Sequence, residues 1–219
     1  MPLTSQTAPR CSLYLVTPLL SAADASAFVK IFAEALSAAP IACALVRLTA
    51  GAQSNAEAAL ARFVRVAQDA DCALLIENDV RLAARLGADG VHVAGADQDL
   101  AAAIERLRPE RIVGAGSLRT RDEAMTAGEM GADYVMFGEP QGGARALGLT
   151  TLIERVAWWA EIFETPCVAY AETIEAVAEL AAAGADFVAL GDAIWGSPSP
   201  AAAAREAQAL ISVAGVTIP

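Results

Sequence analysis

Arg47, Asp79 and Asp97 are the side chains in this sequence best suited to phosphate chemistry, and their spacing ties them to successive apolar runs. In LVRLTA, residues 45–50, period-two alternation sets Leu45, Arg47 and Thr49 on one face, opposite Val46 and Leu48. An arginine pointing into a barrel needs an anion or a carboxylate partner. Asp79 and Asp97 end or follow the third and fourth apolar runs and could converge on one hard cation such as Mg²⁺, completed by water and substrate phosphate. The remaining polar residues at the ends of such runs are Thr17, Asn78, Ser117, Glu139, Glu172 and Asp192, which makes the set acidic.

Eight strand candidates supply these ends: 12–17, 42–47, 72–77, 90–93, 111–115, 134–137, 167–170 and 187–190. A helical pattern follows each. Gly-Ala-Asp leading into a short apolar run begins at 87, 131 and 184, each time after an alanine-rich segment. Glycine ends a helix because it enters the left-handed conformation without steric penalty. The run that follows reads as a parallel strand covered on both faces. Spacings of 44 and 53 residues mark every second unit of a βα array. Ser54 with Glu57 and Thr120 with Glu123 have the spacing of capping boxes at helix starts. Strict alternation leaves an open doubly wound sheet or a closed barrel. Eight units of about 27 residues favour a single closed (β/α)8 TIM barrel over residues 1–219, and no G-x-G-x-x-G follows the first strand.

Composition limits the partners. The chain has 219 residues, a net charge of −11 and no basic run, which argues against nucleic acid or an anionic membrane. MPLTSQTAPR lacks the apolar segment of a signal peptide, so a soluble cytoplasmic protein is expected. Cys11, Cys43, Cys72 and Cys167 are isolated and read as reduced, buried thiols rather than a disulfide or zinc site. Lys30, the single lysine, lies on the first helix away from any strand end, which excludes a Schiff-base mechanism in the mouth.

Each candidate also has a structural reading. Asp79 and Asp97 could be helix caps, and Arg47 could simply neutralise Asp79. His92, the only histidine, reads more readily as a hydrogen-bonded core residue than as a catalyst. The Trp158–Trp159 pair reads as packing or as the contact of a homo-oligomer.

The segment ALLIENDVRLAARLGADGVHVAGAD resembles the thiamine-phosphate synthase family, in which an Asn-Asp pair ending strand three is followed by G-A-D-G-V-H and a further aspartate. The likeness runs from SLYLVT to GDAIW and is strongest between residues 72 and 138. That family joins an aminopyrimidine diphosphate to a thiazole phosphate and releases diphosphate. The resemblance implies Asp79 and Asp97 as Mg²⁺ ligands, and Arg47 and Asn78 as diphosphate contacts. It places Ser117 near the pyrimidine, and adds Thr120 and Gly138 as substrate-binding positions.

Departures fall in the half that would hold the second substrate. The strand-two motif Q-x-R-x-K reads Leu45-Val46-Arg47-Leu48-Thr49, without its glutamine and lysine. The loop after strand six is EPQGGARALG, where Arg145 is the only cation. Ala171 and Glu172 replace a Gly-Gly pair, and Gly191 and Asp192 replace Ile-Ser. The histidine used after strand five by a tautomerase-like branch corresponds to Arg119. Carboxylates at two phosphate positions disfavour phosphate there. The expectation is a small-molecule transferase with an altered second-substrate site, in which Glu172, Asp192 and Arg145 meet the nucleophile. The alternative is a barrel that has lost turnover and binds a small metabolite in an acidic mouth, as a regulatory or scavenging protein.

Overall fold

A computed structural model describes residues 11–138 and 147–214, the side chains of residues 53–55 excepted. Eight parallel strands close in sequence order: β1 (Ser12–Leu20), β2 (Cys43–Leu48), β3 (Ala73–Glu77), β4 (Gly90–Ala94), β5 (Ile112–Gly116), β6 (Tyr134–Phe137), β7 (Cys167–Ala171) and β8 (Phe187–Leu190). The helices between them are α1 (Ala22–Ala38), α2 (Gln53–Asp69), α3 (Val80–Leu86), α4 (Gln98–Leu107), α5 (Arg121–Met130), α6 (Leu149–Ile162) and α7 (Val177–Ala182). A short α8 (Asp192–Trp195) and α9 (Pro200–Ala214) follow β8. The (β/α)8 barrel expected from the alternation is the observed architecture.

The Gly-Ala-Asp repeat is a staple at the N-terminal end of the barrel. Gly87, Gly131 and Gly184 have φ of 72, 96 and 101°, turning the chain out of a helix. Each aspartate then grips one residue on the preceding strand twice. The Asp89 N–H donates to the Leu74 carbonyl, while its Oδ2 accepts from the Leu74 N–H at 2.7 Å. Asp133 does the same with Val113, and Asp186 with Cys167, both accepting at 2.8 Å. The repeat therefore stitches β4 to β3, β6 to β5 and β8 to β7. A carboxylate at those positions satisfies a strand-end donor that the parallel ladder leaves over.

Inside the barrel, Tyr14, Val16, Cys43, Leu45, Leu75, Tyr134, Met136, Val168, Tyr170 and Ala189 form one packed cluster. Tyr134 crosses toward β5, where a Cβ at Gly114 would lie 2.0 Å from its ring. Its hydroxyl lies 3.1 Å from that of Tyr14 and 2.8 Å from His92 Nδ1. His92 is 3% exposed, as expected of a hydrogen-bonded core histidine. The outward faces of the strands join the helices in a larger core that includes Trp159, Phe32 and Phe63. Trp158 packs partly against that core, edge-on to Trp159 and beneath the Arg121 guanidinium. All four cysteines are free, as expected, and burial pushes the thiols of Cys11, Cys72 and Cys167 up to about 12.

Two local expectations need correction. The first strand continues to Leu20 through a bulge, because Val16 pairs with Leu45 but Leu19 pairs with Arg47. Pro18, which has no N–H, sits in that irregularity. The helix N-cap expected at Ser54 lies two residues earlier, at Ala52, with no side-chain cap. Its Glu57 pairs with Arg85 of α3 at 2.8 Å instead of closing a capping box. The Thr120–Glu123 capping box is present as expected. Among the described residues, no helix is long and apolar enough to cross a membrane.

Candidate active site

The bulge in β1 prepares the position of Arg47. Where the β1–β2 ladder breaks, the buried Thr17 hydroxyl accepts from the Arg47 N–H at 3.0 Å. Trp195 of α8 donates its indole N–H to the Val16 carbonyl at 2.7 Å. Both backbone groups released by the bulge thus find side-chain partners. Alternation from the inward-facing Leu45 then turns the Arg47 side chain into the mouth.

Its partner differs from the one anticipated. Arg47 Nε donates to Glu77 Oε1 at 3.0 Å, and the two side chains are 15% and 23% exposed. Asp79 is instead the N-cap of α3, with Oδ1 accepting from the Leu82 N–H at 2.9 Å. Glu77, the last residue of the apolar run 72–77, is absent from the polar set expected from the sequence. Alternation from Leu75 marks it as inward-facing.

Asn78 and Ser117 directly follow β3 and β5 in the left-handed region, each with φ of 54°. Such backbone in a non-glycine residue persists only where its surroundings fix it. Asn78 is fixed from β4: its N–H donates to the His92 carbonyl, and its Oδ1 accepts from the Ala94 N–H, both at 2.9 Å. The loop after Ser117 is held by Arg155 of α6, which donates to the Leu118 carbonyl at 3.2 Å, and by Glu123, which accepts from the Arg119 and Thr120 N–H groups. Asp97 caps α4 through Oδ1, which accepts from the Asp99 N–H at 3.0 Å. For both aspartates the capping role is the one observed, and a second carboxylate oxygen remains on each.

On the opposite rim, Gly138 directly follows β6 with φ of 75°. Glu172 and Asp192 are exposed just after β7 and β8. Between them stands Tyr170, a mouth residue the sequence reading passed over. It is 6% exposed, and a Cβ on Gly191 would come within 2.5 Å of its hydroxyl. Burial pushes the Tyr170 hydroxyl up from its ordinary range, and the negative charges of Asp192 and Glu172 add to this. The Asp192 N–H and the positive charge of Arg47 act the other way. Arg145 and Glu139 lie outside the described residues.

The strand ends therefore bring Arg47, Asn78, Asp79, Asp97, Ser117, Gly138, Glu172 and Asp192 to the C-terminal face, where barrels of this architecture carry their chemistry. Thr120, one turn further on, is occupied as a helix cap. A family model described as thiamine monophosphate synthase matches residues 13–194 of this chain. The chain belongs to the thiamine monophosphate synthase family. It is 39% identical to the thiamine-phosphate synthase of Rhodospirillum centenum over 201 residues, covering 89% of this chain and 94% of that protein. It is 38% identical to the Hyphomonas neptunium protein of the same name over 215 residues, covering 94% and 96%. Among solved structures, thiamine phosphate pyrophosphorylase from Pyrococcus furiosus superposes with a TM-score of 0.79 at 22% identity, covering 94% of this chain and 98% of that one. A 3-hexulose-6-phosphate synthase follows at TM-score 0.69 and 19% identity, covering 91% and 99%; both likenesses concern the fold.

Proposed function

We propose that this protein is a thiamine-phosphate-synthase-type transferase whose second-substrate site prefers a thiazole alcohol to a thiazole phosphate. The observation that carries the reading is the division of the mouth. The guanidinium of Arg47 faces it from β2, whereas Glu172 and Asp192 flank Tyr170 at β7 and β8.

In the proposed reaction, the bond between the pyrimidine methylene carbon and the diphosphate oxygen breaks, and its electron pair leaves with diphosphate. The thiazole nitrogen lone pair forms the new carbon–nitrogen bond. Neither step requires a general base, which suits a barrel whose one histidine is buried against Tyr134. Arg47 would stabilise the charge gathering on the leaving diphosphate, with the Asn78 side-chain amide as a second donor. Ser117, held by its own loop, would contact the pyrimidine.

Asp79 and Asp97 would hold Mg²⁺. Each spends Oδ1 on a helix cap and keeps one oxygen. Two such ligands suit an ion that keeps water and takes its other ligands from substrate phosphate. Among the described residues, no group of three His, Cys, Asp or Glu could hold a metal. When bound, the ion would neutralise charge on the diphosphate oxygens.

Glu172 and Asp192 would meet the nucleophile's tail. A phosphate monoester carries close to two negative charges at neutral pH and would be repelled, whereas an alcohol can donate to either carboxylate. Incubation with the aminopyrimidine diphosphate and Mg²⁺, with either thiazole added, tests this directly. Diphosphate release should be faster and the nucleophile KM lower with the alcohol. A lower KM for the phosphate would refute the altered site. Substrate binding without diphosphate release would refute the transferase and leave the metabolite-binding alternative, which the acidic rim also favours.

A further inference from the structure

We infer that Glu77 is a positioning residue that holds Arg47 ready for diphosphate, rather than a counter-ion that merely balances its charge. The inference rests on the proposed diphosphate role of Arg47. Two contacts define the arrangement. The Arg47 backbone is fixed through the Thr17 hydroxyl, and its Nε is fixed by Glu77 Oε1 at 3.0 Å. Among the described residues, no further protein acceptor meets the Nη1 and Nη2 groups, and neither belongs to a buried atom lacking a partner. Among the described residues, the side of the guanidinium that Glu77 does not use is therefore open to a ligand.

Strand geometry explains why Glu77 can do this. Leu45 pairs with Leu75 across β2 and β3, so the next inward positions, Arg47 and Glu77, stand side by side one layer above. An arginine side chain is long and rotamer-rich, and a bidentate anion contact requires one orientation of its planar fork. Fixing Nε in advance removes much of that ordering from the binding step. Preorganising one such side chain is worth about three- to tenfold in affinity.

Charge and geometry make opposite predictions, which allows a clean test. A carboxylate beside an anion site opposes the anion through its charge and assists it only through its hold on Nε. Glu77→Gln removes the charge but leaves an amide oxygen that can accept from Nε. Glu77→Asp keeps the charge but withdraws the oxygen by one methylene. Inorganic pyrophosphate binding, with Mg²⁺ present, is measured by titration calorimetry on the full-length protein. Thermal melts accompany it to establish that each variant is folded.

The expected result is wild-type or tighter binding for Glu77→Gln, and binding weakened about three- to tenfold for Glu77→Asp. In turnover, Glu77→Asp should raise the KM for the diphosphate substrate, and Glu77→Gln should not. Equal affinity in wild type and Glu77→Asp, or equal weakening in both variants, overturns the positioning role. Absence of pyrophosphate binding in the wild-type protein overturns the diphosphate role of Arg47, and this inference with it. Should Glu77→Asp fail to fold, Arg47→Lys carries the geometric arm: lysine cannot be held at Nε while offering two further donors, so pyrophosphate affinity equal to wild type would overturn the inference.

Discussion

Replacing Asp186 by alanine tests whether the Gly-Ala-Asp aspartates are structural staples. Asp186 Oδ2 accepts from the Cys167 N–H at 2.8 Å, and Cys167 is fully buried, so truncation leaves that donor without its acceptor. A hydrogen bond to a charged group contributes about 1.5–3 kcal/mol, and an orphaned buried donor costs a similar amount. The Asp186 N–H bond to the Cys167 carbonyl survives, because it is made by the backbone. The net loss should be about 2–3 kcal/mol. At about 2–4 °C per kcal/mol for a domain of this size, Tm falls by roughly 4–12 °C. Asp186→Asn keeps an oxygen acceptor and should lose about half as much. Urea unfolding should show a lower midpoint at unchanged slope, while exposed Glu105→Ala on α4 stays within about 0.5 kcal/mol of wild type. The staple lies at the opposite end of the barrel from Arg47, so kcat and KM measured well below Tm should not change. An Asp186→Ala protein within about 0.5 kcal/mol of wild type would refute the staple.

Two further results are expected. Asp79→Asn keeps a good N-cap for α3, so stability should stay within about 0.5 kcal/mol, while titration calorimetry should show loss of the Mg²⁺-dependent gain in pyrophosphate affinity; retention of that gain would remove Asp79 from the metal site. The raised thiols of Cys11, Cys72 and Cys167 stay protonated when folded, so their contribution to stability is complete below about pH 9 and lost as pH rises toward about 12. Denaturant midpoints should fall across that window, by up to about 1.4 kcal/mol per pH unit for each thiol, and an aromatic disulfide reagent should label native protein at pH 8 far more slowly than unfolded protein.

The elements legible in the sequence were those set by short-range rules. Glycine-terminated helices and apolar runs located β4, β6 and β8 closely, because Gly87, Gly131 and Gly184 each meet a local backbone demand. The function of the aspartate in the same tripeptide was not legible, since its partner on the preceding strand is defined only once the sheet closes. The bulge at Thr17 and Pro18 escaped for the same reason: it exists only relative to β2. In the mouth, Arg47 was found from alternation within its strand. Glu77 and Tyr170 obey the same alternation, but each stands inside an apolar run beside Ile76 or Ala171, and the partners that reveal them, Arg47 and Gly191, lie on or beside other strands.

Tyr170 and Gly191 make sense only together, since a side chain at 191 would occupy the space of the Tyr170 hydroxyl. Their fit fills the β7–β8 side of the mouth, where Glu172 and Asp192 form a charged edge beside a Tyr170 that also feels the positive charge of Arg47. Under the proposed reaction, charge separates in the same sense: negative charge departs with diphosphate, and positive charge develops on the thiazole nitrogen. A carboxylate about 6 Å from that nitrogen would contribute roughly 3 kcal/mol at an effective dielectric near 20, before the opposing effects of water and salt. The gain grows as the new bond forms, so it favours the transition state over the bound neutral thiazole. A phosphate on the nucleophile would bring its own charge against the same edge and forfeit part of that gain. Under the proposed function, the carboxylates that would make this side a poor phosphate cradle would therefore suit the cation formed by an unphosphorylated nucleophile.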